Sequence, residues 1–407
     1  MLNKLSGYST TLVKVRANTN ASATGGDVVS FDLPTNTLLD LDSIRICGTM
    51  TTVACDFRHT DALVRQAIWE SGGALIGGHS GDNLPLVWSI LNDAYGGDAQ
   101  SRREIYQKAA ALAAVPTVVG SGQFFINTPL GFSSSVKPNF VDTSLFPGSL
   151  RLNIRLNDVG FMAKFASGTP SYSITDMYLL VKVASIDDGM YFQILAERLR
   201  QGSIELPFDN IITYLAGDRV AVSSANTQFS ITSQSVDLLL GTVVSIAGTG
   251  TGGLYSQATD TTIGNSIYFA RGAAVSGATA TDMSAPRVRW QINGVAHPSY
   301  GEMTAMDCYS ESMNALSLLN DTVGQSNPLM RTPLLWEDKF FFSAYRLNHP
   351  DGDADSRTLS GLNALGTNSI CQFEYSQTGA NSFQPFIAVF CKSVLRLGAG
   401  KTLAVTY

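Results

Sequence analysis

Two-residue alternation is the feature that most limits how this chain can fold. From Gly148 the sequence reads GSLRLNIRLND, in which Leu150, Leu152, Ile154 and Leu156 alternate with Arg151, Asn153, Arg155 and Asn157. Successive side chains of an extended strand point to opposite faces, so this run has one apolar and one wet face and reads as a half-buried antiparallel strand. The pattern recurs in RVRWQIN, where Val288, Trp290 and Ile292 alternate with Arg287, Arg289 and Gln291. Further β-rich runs cover Met177 to Ile186, Lys339 to Tyr345, Phe386 to Leu397 and Thr402 to Tyr407, separated by loops of Gly, Ser, Thr, Asn and Pro. The body is expected to be a β-sandwich or barrel.

The chain has 407 residues. Single cores stop growing near about 250–300 residues, which predicts two domains of similar size. Helical signals fit that division. Asp187-Asp188 can cap a helix over Gly189 to Gln201, with Tyr191, Ile194, Leu195 and Leu199 along one stripe and Gly202 as its stop. A helix at mid-chain between two β blocks predicts a connector over 188–202 between domains at 1–187 and 203–407. Helical insertions are expected inside both halves. One lies at about 60–114, broken by GGALIGG, and one at about 302–320, where Met306, Met313 and Leu316 line one side. The halves also resemble each other: FDLPTNTLLDL from Phe31 lies over FSITSQSVDLL from Phe229 at an offset of 198 residues, matching Phe31 to Phe229 and Leu33 to Ile231.

Only 15% of residues are charged, against about 25% in an average protein. The net charge is −6, and no block of like charges interrupts the chain, which argues against a body that grips nucleic acid through a basic face. The start of the chain is the local exception, since Lys4, Lys14 and Arg16 precede the first acid, Asp27. Five cysteines, Cys47, Cys55, Cys308, Cys371 and Cys391, form no CxxC pair and no Cys/His cluster, so they read as free thiols in a reducing compartment. MLNKLSGYSTT lacks the apolar core of a secretory signal, and the longest apolar stretch, Leu238 to Gly248, is too short to span a bilayer. A soluble protein made without that export route is expected.

No motif with a complete chemical logic emerges. Gly248 to Gly253 fits G-x-G-x-x-G, but LYSQATDTTIGNS follows where a helix and a later acid should stand, so a surface loop is the better reading. Asp351, Asp353 and Asp355 have the alternate carboxylates of a calcium loop. Ser356 and Leu362 then replace the glycine and glutamate that an EF-hand needs, which favours a polar turn. His59, His79, His297 and His349 are scattered, with no nucleophile motif beside them. Asn20-Ala-Ser and Asn320-Asp-Thr are glycosylation sequons without an export signal to give them meaning. No catalytic residue, cofactor-binding residue or metal ligand is assigned.

Three stretches, in this order, point to a family. They are VSFDLPTNTLLDLDSIRICGTMTT; the junction LLVKVASIDDGMYFQILAERLRQGSIELPF; and WQINGVAHPSY with the later FFFSAYRLNHPDGDADSRTLSGLNALGTNSICQFEYS. The chain resembles the double jelly-roll major capsid proteins of tailless double-stranded DNA viruses, the lineage of tectiviruses, adenoviruses, virophages and polinton-like viruses. It is compact for that family, whose members often carry large tower loops. The resemblance implies an all-β chain of two tandem jelly-roll β-sandwiches with short helical insertions and no enzymatic activity or cofactor. It further implies a homotrimer forming a pseudo-hexagonal capsomer in an icosahedral virion shell, in contact with neighbouring capsomers and with penton and minor capsid proteins. Two readings of the residues fit that role. Exposed apolar residues in loops such as GQFFINTPLGF (Phe124, Phe125, Phe132) would be hard to satisfy in a monomer. Lys4, Lys14 and Arg16 would give a weak, salt-sensitive contact on the inner face of the shell with genome or an internal membrane.

Two rival functions share this fold class. A two-domain β-sandwich carbohydrate- or receptor-binding protein would need a concave aromatic face or a calcium site, whereas the aromatics here fall mainly at alternating, core-facing positions. A jelly-roll glycoside hydrolase would need paired carboxylates about 5–9.5 Å apart.

Overall fold

The computed structural model describes residues 8–18, 22–53, 55–57, 63–79, 82–95, 120–126, 140–158, 163–165, 171–186, 189–217, 219–245, 286–316, 341–348, 361–365 and 369–406. The first half holds β1 (Tyr8–Arg16), β2 (Ser22–Thr24), β3 (Val28–Asp32), β4 (Leu38–Val53), β5 (Cys55–Phe57), β6 (Val64–Ser71), β7 (Ala74–His79), α1 (Leu84–Tyr95), β8 (Gly120–Ile126), β9 (Phe140–Asp142), β10 (Leu150–Leu156), β11 (Ala163–Phe165) and β12 (Ser171–Ile186). After α2 (Gly189–Gln201) come β13 (Ile204–Leu215), β14 (Arg219–Ile231), β15 (Ser235–Ser245), β16 (Arg287–Ile292), β17 (Val295–His297), α3 (Ala305–Ala315), β18 (Ser343–Arg346), β19 (Ser369–Gly398) and β20 (Thr402–Thr406).

The strand pairing is duplicated. In the first half one sheet runs β1-β12-β4, with β8 and β9 both on the far edge of β4, and a second runs β3-β10-β6-β7. In the second half the C-terminal part of β19 sits between β13 and β15, and β15 carries β18. The N-terminal part of β19 sits between β14 and β16, and β16 carries β17. Each half is therefore the same pair of four-stranded antiparallel layers, a jelly-roll sandwich. The two differ in one connection. Where the first roll uses separate strands β10 and β12, the second uses the single 30-residue β19 for both layers.

Sequence periodicity fixes which faces meet. Leu150, Leu152, Ile154 and Leu156 in β10 are at most 1% exposed, while the arginines and asparagine between them are half-buried. Val288, Trp290 and Ile292 fill the second core in the same way. Trp290 packs against Phe373 with ring centroids 4.6 Å apart, and its Nε1–H donates to Ser343 Oγ at 3.1 Å, so the buried indole has its partner. Removing each such side chain from water contributes about 1.5–3 kcal/mol. Phe31 lies at the end of β3 and Leu33 just after it, Phe229 and Ile231 end β14, and all four are buried. The repeat seen in the sequence thus marks equivalent strand ends, and each leads into the next strand of the opposite layer.

Two sequence expectations need correction. The insertion at about 60–114 is not helical throughout: β6 and β7 form an antiparallel hairpin, and among the described residues of that span only Leu84–Tyr95 is α-helix. The reason lies in VRQAIWES, where Val64, Ala67, Trp69 and Ser71 are buried with a strand's rhythm, and in Gly72-Gly73. Both glycines have positive φ, 57° and 80°, which suits the tight turn joining two right-twisted strands. Of the expected strand Lys339 to Tyr345, residues 339–340 lie outside the described residues; Phe341 and Phe342 are buried but outside the strand, which runs from Ser343. Helix α3 lies within the expected 302–320. It opens with a capping box, in which Asp307 N–H donates to Thr304 Oγ1 and Thr304 N–H donates to Asp307 Oδ2.

One apolar core runs through both halves. The halves also meet at β7, which packs against β13 and β20. There Thr213 Oγ1 donates to the Asp82 carbonyl, while Arg65 grips the Asp82 carboxylate through two bonds of 2.7 Å and Asp158 through one of 2.8 Å.

Candidate functional surfaces

Among the described residues, those that could carry chemistry are not brought together. Among the described residues no group of three or more His, Cys, Asp and Glu side chains is placed to hold a metal. Gly248 to Gly253, Asp351, Asp353, Asp355, His59, His349, Asn20, Asn320, Phe132, Asp187, Asp188 and Lys4 lie outside the described residues, as does the side chain of His79. His297 is half-buried against Tyr345, with ring centroids 5.7 Å apart, and burial lowers its pKa. Cys47, Cys308, Cys371 and Cys391 are free and buried. Burial pushes the last three up to about 12, which leaves them as inert thiols at neutral pH.

The surface is more informative. None of the thirteen residues of α2 is buried. Met190, Phe192 and Ile194 are 63%, 52% and 56% exposed, so the expected stripe is only partly right: Tyr191, Leu195 and Leu199 turn toward the body, and Ile194 turns away. Tyr191 anchors the helix by donating its hydroxyl to Asp142 Oδ2 at 3.0 Å. Burial first, and then the Asp142 charge, raise its pKa.

A second surface is the outer face of the β1-β12-β4-β8 sheet. GQFFINTPLGF begins as strand β8 rather than as a loop, so its two phenylalanines alternate: Phe124 is buried and Phe125 is 41% exposed. Lys14 and Arg16 belong to β1. Cross-strand register sets Lys14 and Arg45 on either side of Leu180, and Lys182 opposite Leu12. Lys14, Arg16, Arg45 and Lys182 are all exposed. The Lys14 amine stands 3.6 Å from the centre of the Tyr178 ring. The sequence reading missed Arg45 and Lys182. Their only signal was outward parity within strands whose partners are far away in the chain.

A third surface lies in the second half, at the β16-β17 hairpin and the first turns of α3. Val295, Tyr300 and Met306 are 59%, 67% and 60% exposed, among Glu302, Asp307 and Glu311. Arg287 pairs with Glu302 at 3.6 Å. Burial, and then the charges of Asp307 and Glu311, raise the pKa of Tyr300, which places these groups close together.

No family model and no curated protein matches the chain. Solved structures do. The PBCV-1 virus capsid aligns with all of this chain and 98% of its own, at 12% identity and a TM-score of 0.62. The Sputnik virophage structure aligns with all of this chain and 89% of its own, at 12% identity and a TM-score of 0.55. The Faustovirus major capsid protein aligns over 98% and 92% of the two chains, at 8% identity and a TM-score of 0.56. At such identities it is the path of the backbone that is shared. With its duplicated strand order, this chain therefore has the double jelly-roll fold of these capsid structures.

Proposed function

We propose that this protein is the major capsid subunit of an icosahedral virus, a structural protein without enzymatic activity that works by assembling with itself. The observation that carries the reading is the duplicated jelly roll, shared over the full length of the chain with the PBCV-1 capsid. A chain holding two similar sandwiches, at 1–187 and 203–407 with a linker at 188–202, presents six similar units when three copies close around an axis. That arrangement makes a pseudo-hexagonal tile. The exposed Met190, Phe192 and Ile194 of α2 support the same reading, since apolar groups on the outward side of a helix suit an interface between chains. On this reading the protein resides in the virion. Its further partners are neighbouring capsomers, penton and minor capsid proteins, with a weak inner-face contact to genome or membrane at the start of the chain.

Native mass spectrometry and negative-stain microscopy of the purified protein test the proposal. A trimer, or hexagonal tiles and shells, is the expected result. A stable monomer that captures glycans would overturn it in favour of a binding protein.

A further inference from the structure

We propose that the cationic outer face of the first roll docks on the acidic hairpin-and-helix surface of the second roll of another copy. This rests on the self-assembly reading above and names the two faces that meet. The first carries Lys14, Arg16, Arg45 and Lys182 around the exposed Leu12 and Phe125, with Asp40 opposite Lys182 and the exposed Asp42 and Asp176 at its margins. In a sheet, neighbouring strands stand about 4.8 Å apart and alternate residues about 7 Å apart, so the four cations occupy a patch about 10 Å by 14 Å. The second carries Glu302, Asp307 and Glu311 around the exposed Val295, Tyr300 and Met306, with Arg287 as the one cation paired to Glu302.

Each face thus has what the other lacks in charge, and each leaves apolar side chains 41–67% exposed. Opposite potentials set register and speed encounter, and the apolar groups supply contact area. The occupant is a second copy rather than a nucleic acid because the chain as a whole is acidic, at −6, and because the matching acidic surface is present on the chain itself. Since the two faces belong to different rolls, the contact is head to tail. Repeated around an axis, it closes into a ring without leaving either face open.

The test uses the full chain and charge reversal. Lys14→Glu with Arg45→Glu, and separately Glu302→Lys with Glu311→Lys, should each weaken self-association by about tenfold or more, with the effect shrinking at high salt. Thermal melting of each variant shows whether the fold is kept, and the exposed single change Lys182→Glu serves as a milder version. The chain carrying all four reversals should regain association, because both faces have changed sign. Folded variants that associate like the parent would overturn this pairing while leaving self-assembly standing. So would a four-fold variant that stays folded and monomeric. Loss of duplex DNA binding with unchanged association would assign the cationic face to nucleic acid instead. A parent chain that is itself monomeric would overturn the reading on which the pairing rests.

Discussion

β12 and the C-terminal part of β19 occupy the same place in the two rolls, yet their surroundings differ. In β12, Met177, Leu179, Val181 and Val183 are buried, while Tyr178 and Leu180 are half-buried and Lys182 is exposed. In β19 every residue from Gln384 to Val389 is buried, and so is every residue from Cys391 to Leu395. Even Lys392 lies inside, with its amine 3.7 Å from Asp237. Duplication has therefore produced one roll whose central layer keeps a free face and one whose central layer is enclosed. The enclosed layer can only hold the chain together, and the open one is free to meet something else.

An aspartate scan is the strongest way to break this contrast. At Val181, Ala388 or Val389 a carboxylate would be buried without a partner, and each change should cost more than about 4 kcal/mol and abolish soluble, folded protein. Lys182→Asp should stay within about 0.5 kcal/mol of the parent in urea unfolding. A folded Ala388→Asp protein would show that the outer side of β19 is open after all.

Glycines sharpen the comparison at smaller cost. A Cβ on Gly241 in β15 would stand 2.7 Å from Phe373 and 2.8 Å from Trp290, whereas one on Gly48 in β4 would stand 3.1 Å from Phe124 and 3.2 Å from Ile174. Gly241→Ala should destabilise by about 1–3 kcal/mol and Gly48→Ala by less, read as shifts in the urea midpoint. Equal shifts would mean that the two cores are packed equally tightly around their aromatics.

The smallest effect concerns matching ion pairs on the outer faces, Arg151 with Asp32 at 2.7 Å in the first roll and Arg289 with Glu374 at 2.6 Å in the second. The hydrogen bond from Arg151 holds the Asp32 carboxyl below its usual 3.8. A carboxylate with a depressed folded pKa stabilises the fold above its unfolded value and loses that contribution as pH falls through the lower folded one. Asp32→Asn should thus cost less than about 1 kcal/mol at neutral pH, because the pair is solvent-screened. The difference from the parent should fade as the pH drops below 3.8. A difference that persists undiminished into that range would show that the asparagine disturbs packing rather than charge.

How much of this was legible in the sequence depended on how local the signal was. LRLNIRL and RVRWQI declared their inner faces because period-two alternation is written in adjacent residues, and the helix at Gly189–Gln201 was framed by a strand on each side. The β6-β7 hairpin was misread because the apolar spacing of β6 slips by one residue between Val64 and Ala67, where it bulges against β10, which blurs strand and helix periods. The continuity of β19 through QTGANSFQ was missed for a related reason. A polar, glycine-containing stretch reads as a loop, and pairing with the distant β14 and β15 accompanies its extended course. Nor could the cationic face be seen, because Lys14, Arg45 and Lys182 become neighbours only when β1, β12 and β4 pair.

The register of the outermost pairs also sets an order of events at the ribosome. β1 is joined to β12 from Tyr8↔Ile186 to Arg16↔Tyr178, so the first roll has all its strands soon after the linking helix is made. β13 waits much longer. It is joined to β19 from Ile204↔Leu397 to Leu215↔Phe386, and the same stretch of β19 also receives β15. Until the last two dozen or so residues emerge, β13 and the inner edge of β15 lack their partner, and β15 has only the short β18 on its other side. Contacts of such long sequence separation form slowly and leave apolar edges open meanwhile. The C-terminal segment therefore acts as the closing stitch of synthesis, and a chain cut short before Phe386 would carry a completed first roll and an open second one.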